Sequence, residues 1–375
     1  MAHSNLLGFG LMRLPEVGEG AAKRIDVAQV CQMVDEFLAA GFTYFDTAWG
    51  YHNGMSEQVA KVALVDRYPR ESFQLATKLP AWRTNTAERA RDMFTASLRR
   101  TGAGYFDNYL LHNLGQERTA PFEEWGIWDF ARDLRERGLV RRLGFSMHST
   151  PEELDAVLTA HPDVDFVQLQ VNYFDWENPR VQSRGCLEVA RAHGVPVIVM
   201  EPVKGGRLAS LTDAAAAPLR ALDPAATPSS WALRFAAAQS GVERVLSGMS
   251  AIEQVRENVA TFASLAPISD AERAALAEVA AQITRENAIP CTSCAYCIES
   301  CPEGVDIPRI LAALNVLEVE RDEFAARGEY AQVAEGARAS RCIGCRTCEE
   351  ACPQQIGIVA HLEKATKVFE SAPAA

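Results

Sequence analysis

Between residues 6 and 265 the chain repeats one pattern eight times: a short apolar run, then a longer amphipathic stretch. The runs read as strands at Leu6–Leu11, Phe42–Thr47, Phe73–Lys78, Asp107–His112, Arg142–Met147, Asp165–Val171, Pro196–Met200 and Glu243–Gly248. The stretches between them include Val27–Ala40, Ser56–Val65, Ala87–Arg100, Phe122–Arg137 and Pro151–Thr159, where apolar residues return at the three- and four-residue spacing of a helix. Several end on a glycine, such as Gly41, Gly138 and Gly194, as helices commonly do. Strands that alternate with helices lie parallel. Eight such units in about 250 residues fit an α/β fold, the closed (β/α)8 TIM barrel. The competing architecture is an open doubly wound sheet. It would favour a Gly-rich turn after the first strand, and G-x-G-x-x-G is absent there.

After the eighth unit the rules change. Residues 269–286 read as one more helix, opened by Ser269 with Glu272 three positions on, and Pro290 follows. The Ala-rich segment Asp213–Thr227 reads as a loop carrying a short helix. The expected division is a barrel over 1–286 and a separate domain over 287–375. Of ten cysteines, eight lie after residue 290, in two runs of identical spacing. The first is Cys291-x2-Cys294-x2-Cys297-x3-Cys301-Pro302, the second Cys342-x2-Cys345-x2-Cys348-x3-Cys352-Pro353. A tight C-x2-C-x2-C arc supplies three thiolates from one turning loop, and a fourth cysteine followed by Pro ligates the other cluster in a two-cluster arrangement. This predicts two [4Fe–4S] clusters. One is held by Cys291, Cys294, Cys297 and Cys352, the other by Cys342, Cys345, Cys348 and Cys301. Structural zinc is the alternative, but it usually takes two distant C-x2-C pairs per ion. The gap between the runs is long and Ile310–Phe324 reads as helical. The region therefore resembles the mostly α-helical two-cluster ferredoxin modules of respiratory and related redox subunits. Cys31 and Cys186 stand alone in helical patterns, as buried small hydrophobes do.

The net charge of −12 argues against nucleic-acid binding, since an acidic surface repels phosphates. No stretch reaches the roughly 18 apolar residues of a membrane span. Met1–Asn5 lacks the basic, then apolar, start of a secretory signal. A cytoplasmic protein is expected, and a reducing compartment favours ligation over disulfides.

Four polar residues fall at or just beyond the carboxyl ends of consecutive strands. They are Asp46 in Phe45-Asp46-Thr47-Ala48, Tyr51 in the loop that follows, Lys78 in Ala76-Thr77-Lys78, and His112 in Leu110-Leu111-His112. Active sites of these barrels lie on that face, so the four can converge. Any one alone would be an ordinary solvated or structural residue. A free Tyr has a pKa of about 10, and an ammonium beside it favours the phenolate. Asp46 would hold Lys78 charged and oriented.

The segments Phe45–Tyr51, Thr77-Lys78, Leu111-His112 and Gly144-Phe145-Ser146 resemble the signature of the aldo/keto reductase family, over about residues 5–262. The resemblance implies a catalytic tetrad of Asp46, Tyr51, Lys78 and His112, with Tyr51 as general acid in reduction and general base in oxidation. It also implies NADP(H) or NAD(H) as cofactor. Ser146 and Gln168 match carboxamide-holding positions. Ser247, Gly248, Gln254 and Asn258 match the adenosine-phosphate region. Met147 stands where the family often has Asn, and Met200 where many members stack a Tyr. Gly248 and Gln254 occupy places where Lys and Arg often grip a 2′-phosphate. Trp49, His52, Trp82 and Trp176 lie in strand-following loops, where they either wall a substrate pocket or pack loops onto the barrel.

A nicotinamide delivers two electrons as hydride, whereas a [4Fe–4S] cluster takes one at a time. A flavin would couple them, but no separate flavin motif is present. Three readings follow. The chain is an NAD(P)(H)-dependent oxidoreductase acting on a small-molecule carbonyl or alcohol; or a reductase fed by ferredoxin or another redox protein through its clusters; or a non-catalytic electron-transfer subunit. The complete tetrad argues against the third.

Overall fold

A computed structural model of the chain describes residues 6–18, 24–178, 181–285, 289–320 and 323–370. Met1–Asn5 and the expected boundary at 286/287 lie outside these residues. All eight apolar runs form strands, and the strands close into one barrel. Numbering the barrel strands alone, β1 is Leu7–Gly10, β2 Tyr44–Asp46, β3 Gln74–Leu79 and β4 Phe106–Leu114. They are followed by β5 Val140–Met147, β6 Phe166–Gln170, β7 Val197–Met200 and β8 Val242–Gly248. β1 pairs in parallel with both β2 and β8, which closes the ring and rules out an open sheet.

Successive side chains on a strand point to opposite faces. One face packs outward on the helices, as Phe9 and Phe45 do in the cluster with Phe37. The other fills the barrel, where Tyr44, Ala76, Leu110, Phe166, Ile198 and Leu246 form a buried cluster of their own. Gly144 of β5 belongs to this inner face. A Cβ there would lie 2.5 Å from the Phe166 carbonyl oxygen, so no side chain fits.

Helices begin where the sequence places caps. The Asp26 carboxylate accepts from Gln29 N at 3.0 Å ahead of Val27–Ala39, and the Thr86 hydroxyl accepts from Arg89 N at 3.3 Å ahead of Ala87–Thr101. Two features differ from expectation. The helix expected over Phe122–Arg137 is two, Ala120–Glu124 and Ile127–Glu136, because Gly126 sits at φ 60° between them. Its apolar period runs through the break, so periodicity alone missed it. Glu16–Val17 and Arg24–Ile25 form an antiparallel hairpin too short to show a period. Among the described residues no helix is long and apolar enough to cross a membrane.

The chain groups into two compact units, Met1–Val203 with Ser229–Ser269, and Lys204–Pro228 with Asp270–Ala375. In the second, the Ala-rich segment forms the helix Asp213–Leu222, which packs on the helix Asp270–Arg285. This unit has its own core, including Ile289, Val305, Ile310, Leu314 and Leu362, and Cys297 and Cys348 are buried within it.

Candidate active site

Two residues beyond the inner core positions, on the same inward face, come Asp46, Lys78, His112, Ser146, Gln168, Met200 and Gly248. The period-two geometry therefore brings seven of the expected residues to the carboxyl-end mouth together. Tyr51 reaches it from the turn after β2, where His52 and Asn53 take left-handed backbone conformations.

At the centre is a buried ion pair. Lys78 Nζ donates to Asp46 Oδ1, to the Thr47 carbonyl at 2.8 Å and to the Tyr51 hydroxyl at 3.2 Å. Gln168 Nε2 donates to Asp46 Oδ2 at 3.1 Å, so both carboxylate oxygens are held. Burial pushes the Asp46 carboxyl up, opposed by the Lys78 charge, and pushes the Lys78 ammonium down, opposed by Asp46. Beneath them Glu57 is fully buried. It accepts from Thr77 Oγ1 at 2.7 Å and pairs with Arg100 at 3.3 Å, and its charge helps keep Lys78 protonated. The His112 ring meets Tyr51 edge-on at 6.0 Å between centroids. Burial, then the Lys78 cation, holds its imidazole well below the usual histidine range, so it is neutral near pH 7. Its Nδ1 has no hydrogen-bond partner among the described residues.

Of the four loop residues, Trp82 stands at the site. Its indole N–H donates to the His112 carbonyl at 2.8 Å, and its ring lies 6.4 Å from the imidazole. Trp49 packs under Arg100, His52 Nε2 accepts from Leu14 N at 3.2 Å, and Trp176 packs edge-on against Phe235.

The expected nucleotide positions divide. Ser146 Oγ accepts from Asn113 N at 2.8 Å. Asn113 sits at φ 60° where the β4–β5 register shifts, and its Oδ1 is buried with no partner among the described residues. Sequence reading missed this residue; the free amide oxygen beside Ser146 suits a carboxamide donor where Met147 replaces the usual Asn. Asn258 Nδ2 donates to Ser247 Oγ at 2.9 Å, and Gln254 Oε1 accepts from Ser250 N at 2.7 Å. Arg13 packs against Gly248, its chain 3.5–3.6 Å from where a Cβ would stand.

In the second unit the eight cysteines surround two cavities. One is lined by Cys291, Cys294, Cys297 and Cys352, the other by Cys301, Cys342, Cys345 and Cys348. Each cavity takes three cysteines from one run and the fourth from the other. Four thiols around a cavity are the donor set of a cubane cluster. The lone cysteines are apart from these: Cys186 is buried, its thiol pushed up to about 12 by desolvation, and Cys31 is half-buried.

Residues 6–281 match the family model for the aldo/keto reductase family. The chain belongs to the aldo/keto reductase family. Residues 290–356 match the 4Fe-4S dicluster domain, so this is a reductase barrel joined to an iron–sulfur domain. It is 26% identical over 321 residues to the NADH-specific methylglyoxal reductase of Escherichia coli, covering 72% of this chain and 93% of that one. Among solved structures it resembles the holo form of an aldo-keto reductase from Bacillus halodurans, with TM-score 0.56 and 26% identity over 73% of this chain and 91% of that one. It also resembles an aldo-keto reductase from Klebsiella pneumoniae in complex with NADPH, with TM-score 0.53 and 26% identity over 72% and 89%.

Proposed function

We propose that this aldo/keto reductase reduces a small-molecule carbonyl, or oxidises the matching alcohol, with NAD(P)(H), using Tyr51 as acid and base. The observation that carries this is the hydrogen bond from the buried Lys78 ammonium to the Tyr51 hydroxyl. The cation lowers the energy of the phenolate left when the proton departs. Asp46, Gln168 and the Thr47 carbonyl hold the ammonium in place. Neutral His112 offers an N–H to orient the carbonyl oxygen beside Tyr51. A nicotinamide held there would supply hydride chemistry, and Tyr51 would give its proton to the carbonyl oxygen. Ser146, Gln168, Met200, Ser247, Gly248, Gln254 and Asn258 are the residues to hold the cofactor, with Asn113 added. Arg13 brings a cation to the Gly248 corner, in keeping with a phosphate there. The second reading, a ferredoxin-fed reductase, draws on the two four-cysteine cavities.

Anaerobically purified full-length protein assayed with NADH or NADPH and small aldehydes or ketones should oxidise the nucleotide in step with carbonyl loss. Activity with a reduced one-electron donor alone, and none with either nucleotide, overturns the nicotinamide reading in favour of the second.

The ion pair also sets a pH profile. The working form has Lys78 charged and Asp46 ionised. Lys78 is shifted down, so activity falls as pH rises, with a midpoint below the ordinary lysine value of about 10.4. Asp46 is shifted up, so the acid limb lies above the ordinary aspartate value of about 3.9. Asp46→Asn removes the charge that opposes burial of Lys78, so the alkaline limb moves to lower pH. A kcat/KM profile of both proteins checks this; an unmoved or raised alkaline limb in the variant rejects it.

A further inference from the structure

The two cysteine runs are copies of one another, and the copies differ where a cluster would feel it. Thr292, after the first cysteine of the first run, aligns with Ile343 of the second. Gln354, two residues past the last cysteine of the second run, aligns with Glu303 of the first. Because each cavity draws on both runs, these differences gather. Thr292 and Gln354 line the Cys291/Cys294/Cys297/Cys352 cavity, while Ile343 and Glu303 line the other.

Gln354 is 3% exposed, and its Oε1 accepts from Lys204 Nζ at 2.5 Å. Lys204 is 1% exposed. With the oxygen fixed by the ammonium, the amide end left over is Nε2, a buried donor with no partner among the described residues. Thr292 Oγ1 is likewise buried and without one. Two unused donors beside four cysteines suit the sulfurs of a bound cluster. The second cavity is unlike this. Ile343 is 64% exposed and Cys345 is exposed. Glu303 brings a carboxylate, paired with Arg341 at 2.9 Å. Arg346 is exposed to solvent, and the Thr347 hydroxyl lies 3.0 Å from Cys345 Sγ at the open edge.

We propose that Lys204 and Gln354 hold the Cys291/Cys294/Cys297/Cys352 cluster at a higher reduction potential than the Cys342/Cys345/Cys348/Cys301 cluster, so that electrons given singly by a reduced one-electron donor protein, which is itself oxidised, enter at the exposed Cys345 edge and settle beside Lys204. Reduction adds one negative charge to a cluster. Burial alone opposes that charge, while a buried cation and buried donors favour it. They count for most where the dielectric is low. The exposed cluster has water but also the Glu303 carboxylate. One electron passed between them oxidises the cluster on the Cys345 side and reduces the one on the Lys204 side.

This inference rests on two clusters being present. About eight iron and eight sulfide per chain establish that separately, so a failure there is told apart from a failure here. The test is an EPR-monitored redox titration of the anaerobic full-length holoprotein. Two resolved one-electron waves are expected. Gln354→Leu and Lys204→Met should each lower the upper wave by at least tenfold in the reduction equilibrium, about 59 mV for one electron, with the lower wave unmoved. Lys204→Arg should retain most of the upper potential. Glu303→Gln should raise the lower wave and narrow the gap, and it identifies that wave even if the buried variants fail to load clusters. Coincident waves in the wild type, or a Glu303→Gln effect on the upper wave, or Gln354→Leu moving the lower wave, overturns the proposal.

Discussion

Tyr51→Phe lowers carbonyl turnover by about 10²–10⁴-fold, the usual contribution of a general acid–base group, and leaves the fold and the iron content unchanged. The substitution removes one hydroxyl from a half-buried side chain. The Lys78 ammonium then still has the Asp46 carboxylate and the Thr47 carbonyl as acceptors, so no buried charge is stranded. Lys78→Met is the less clean experiment. It leaves the Asp46 carboxylate buried with the Gln168 amide as its remaining side-chain hydrogen-bond donor among the described residues, and breaking a buried pair from one side typically costs about 3–5 kcal/mol. Loss of activity in that variant mixes chemistry with folding. The measurement is kcat for Tyr51→Phe beside circular dichroism and iron analysis of the same sample. A rate within a few-fold of wild type, with the fold intact, removes Tyr51 from its role as proton donor.

The second large effect concerns which cysteine serves which cluster. Cys352→Ser should remove about four of the eight iron atoms, and adding Cys291→Ser should remove no more, because both line one cavity. Cys352→Ser combined with Cys345→Ser should remove nearly all the iron, because Cys345 lines the other. If each run instead bound its own cluster, the outcomes would exchange: Cys345 and Cys352 would fail together and Cys291 would add a second loss. Iron and sulfide analysis of the three proteins decides between the patterns. The loss should also loosen the second unit, since Cys297 and Cys348 sit in its core among Ile289, Ile310 and Leu362. Limited proteolysis would register that loosening as faster cleavage within residues 289–370.

These effects fall in separate compact units, which allows their tests to be read independently. A Tyr51 variant that kept its iron and a Cys352 variant that kept its barrel would show the proton chemistry and the electron chemistry to be separable. If NAD(P)H-linked turnover survives loss of the clusters, the barrel reaction does not need them. If it vanishes while the barrel stays folded, the ferredoxin-fed reading gains.

Much of this protein is legible in one dimension. Barrel strands carry a period of two and helices a period of 3.6, and eight alternations leave few ways to bury the apolar faces. The strand ends explain why Asp46, Lys78 and His112 could be named from the chain, while Ser146 and Gln168 are named through the family resemblance; the period of two puts all five on one face. Each stands two residues past an inner core position, and a slip of one residue would have turned it outward. The cysteine spacing is likewise a local property of two short loops. The exceptions are contacts that no local pattern encodes. Gly126 breaks a helix whose apolar period runs straight through it. Asn113 becomes available because β4 shifts register beside Ser146, a consequence of strand pairing. Glu57 supports Lys78 only because Thr77 and Arg100 are brought to it from 20 and 43 residues away. Lys204 and Gln354 are 150 residues apart, and neither carries a signature. Local period and spacing decide which residues face a core or a cluster. Which distant charge or donor is then buried against them is decided by packing in three dimensions, where low dielectric makes each such neighbour matter.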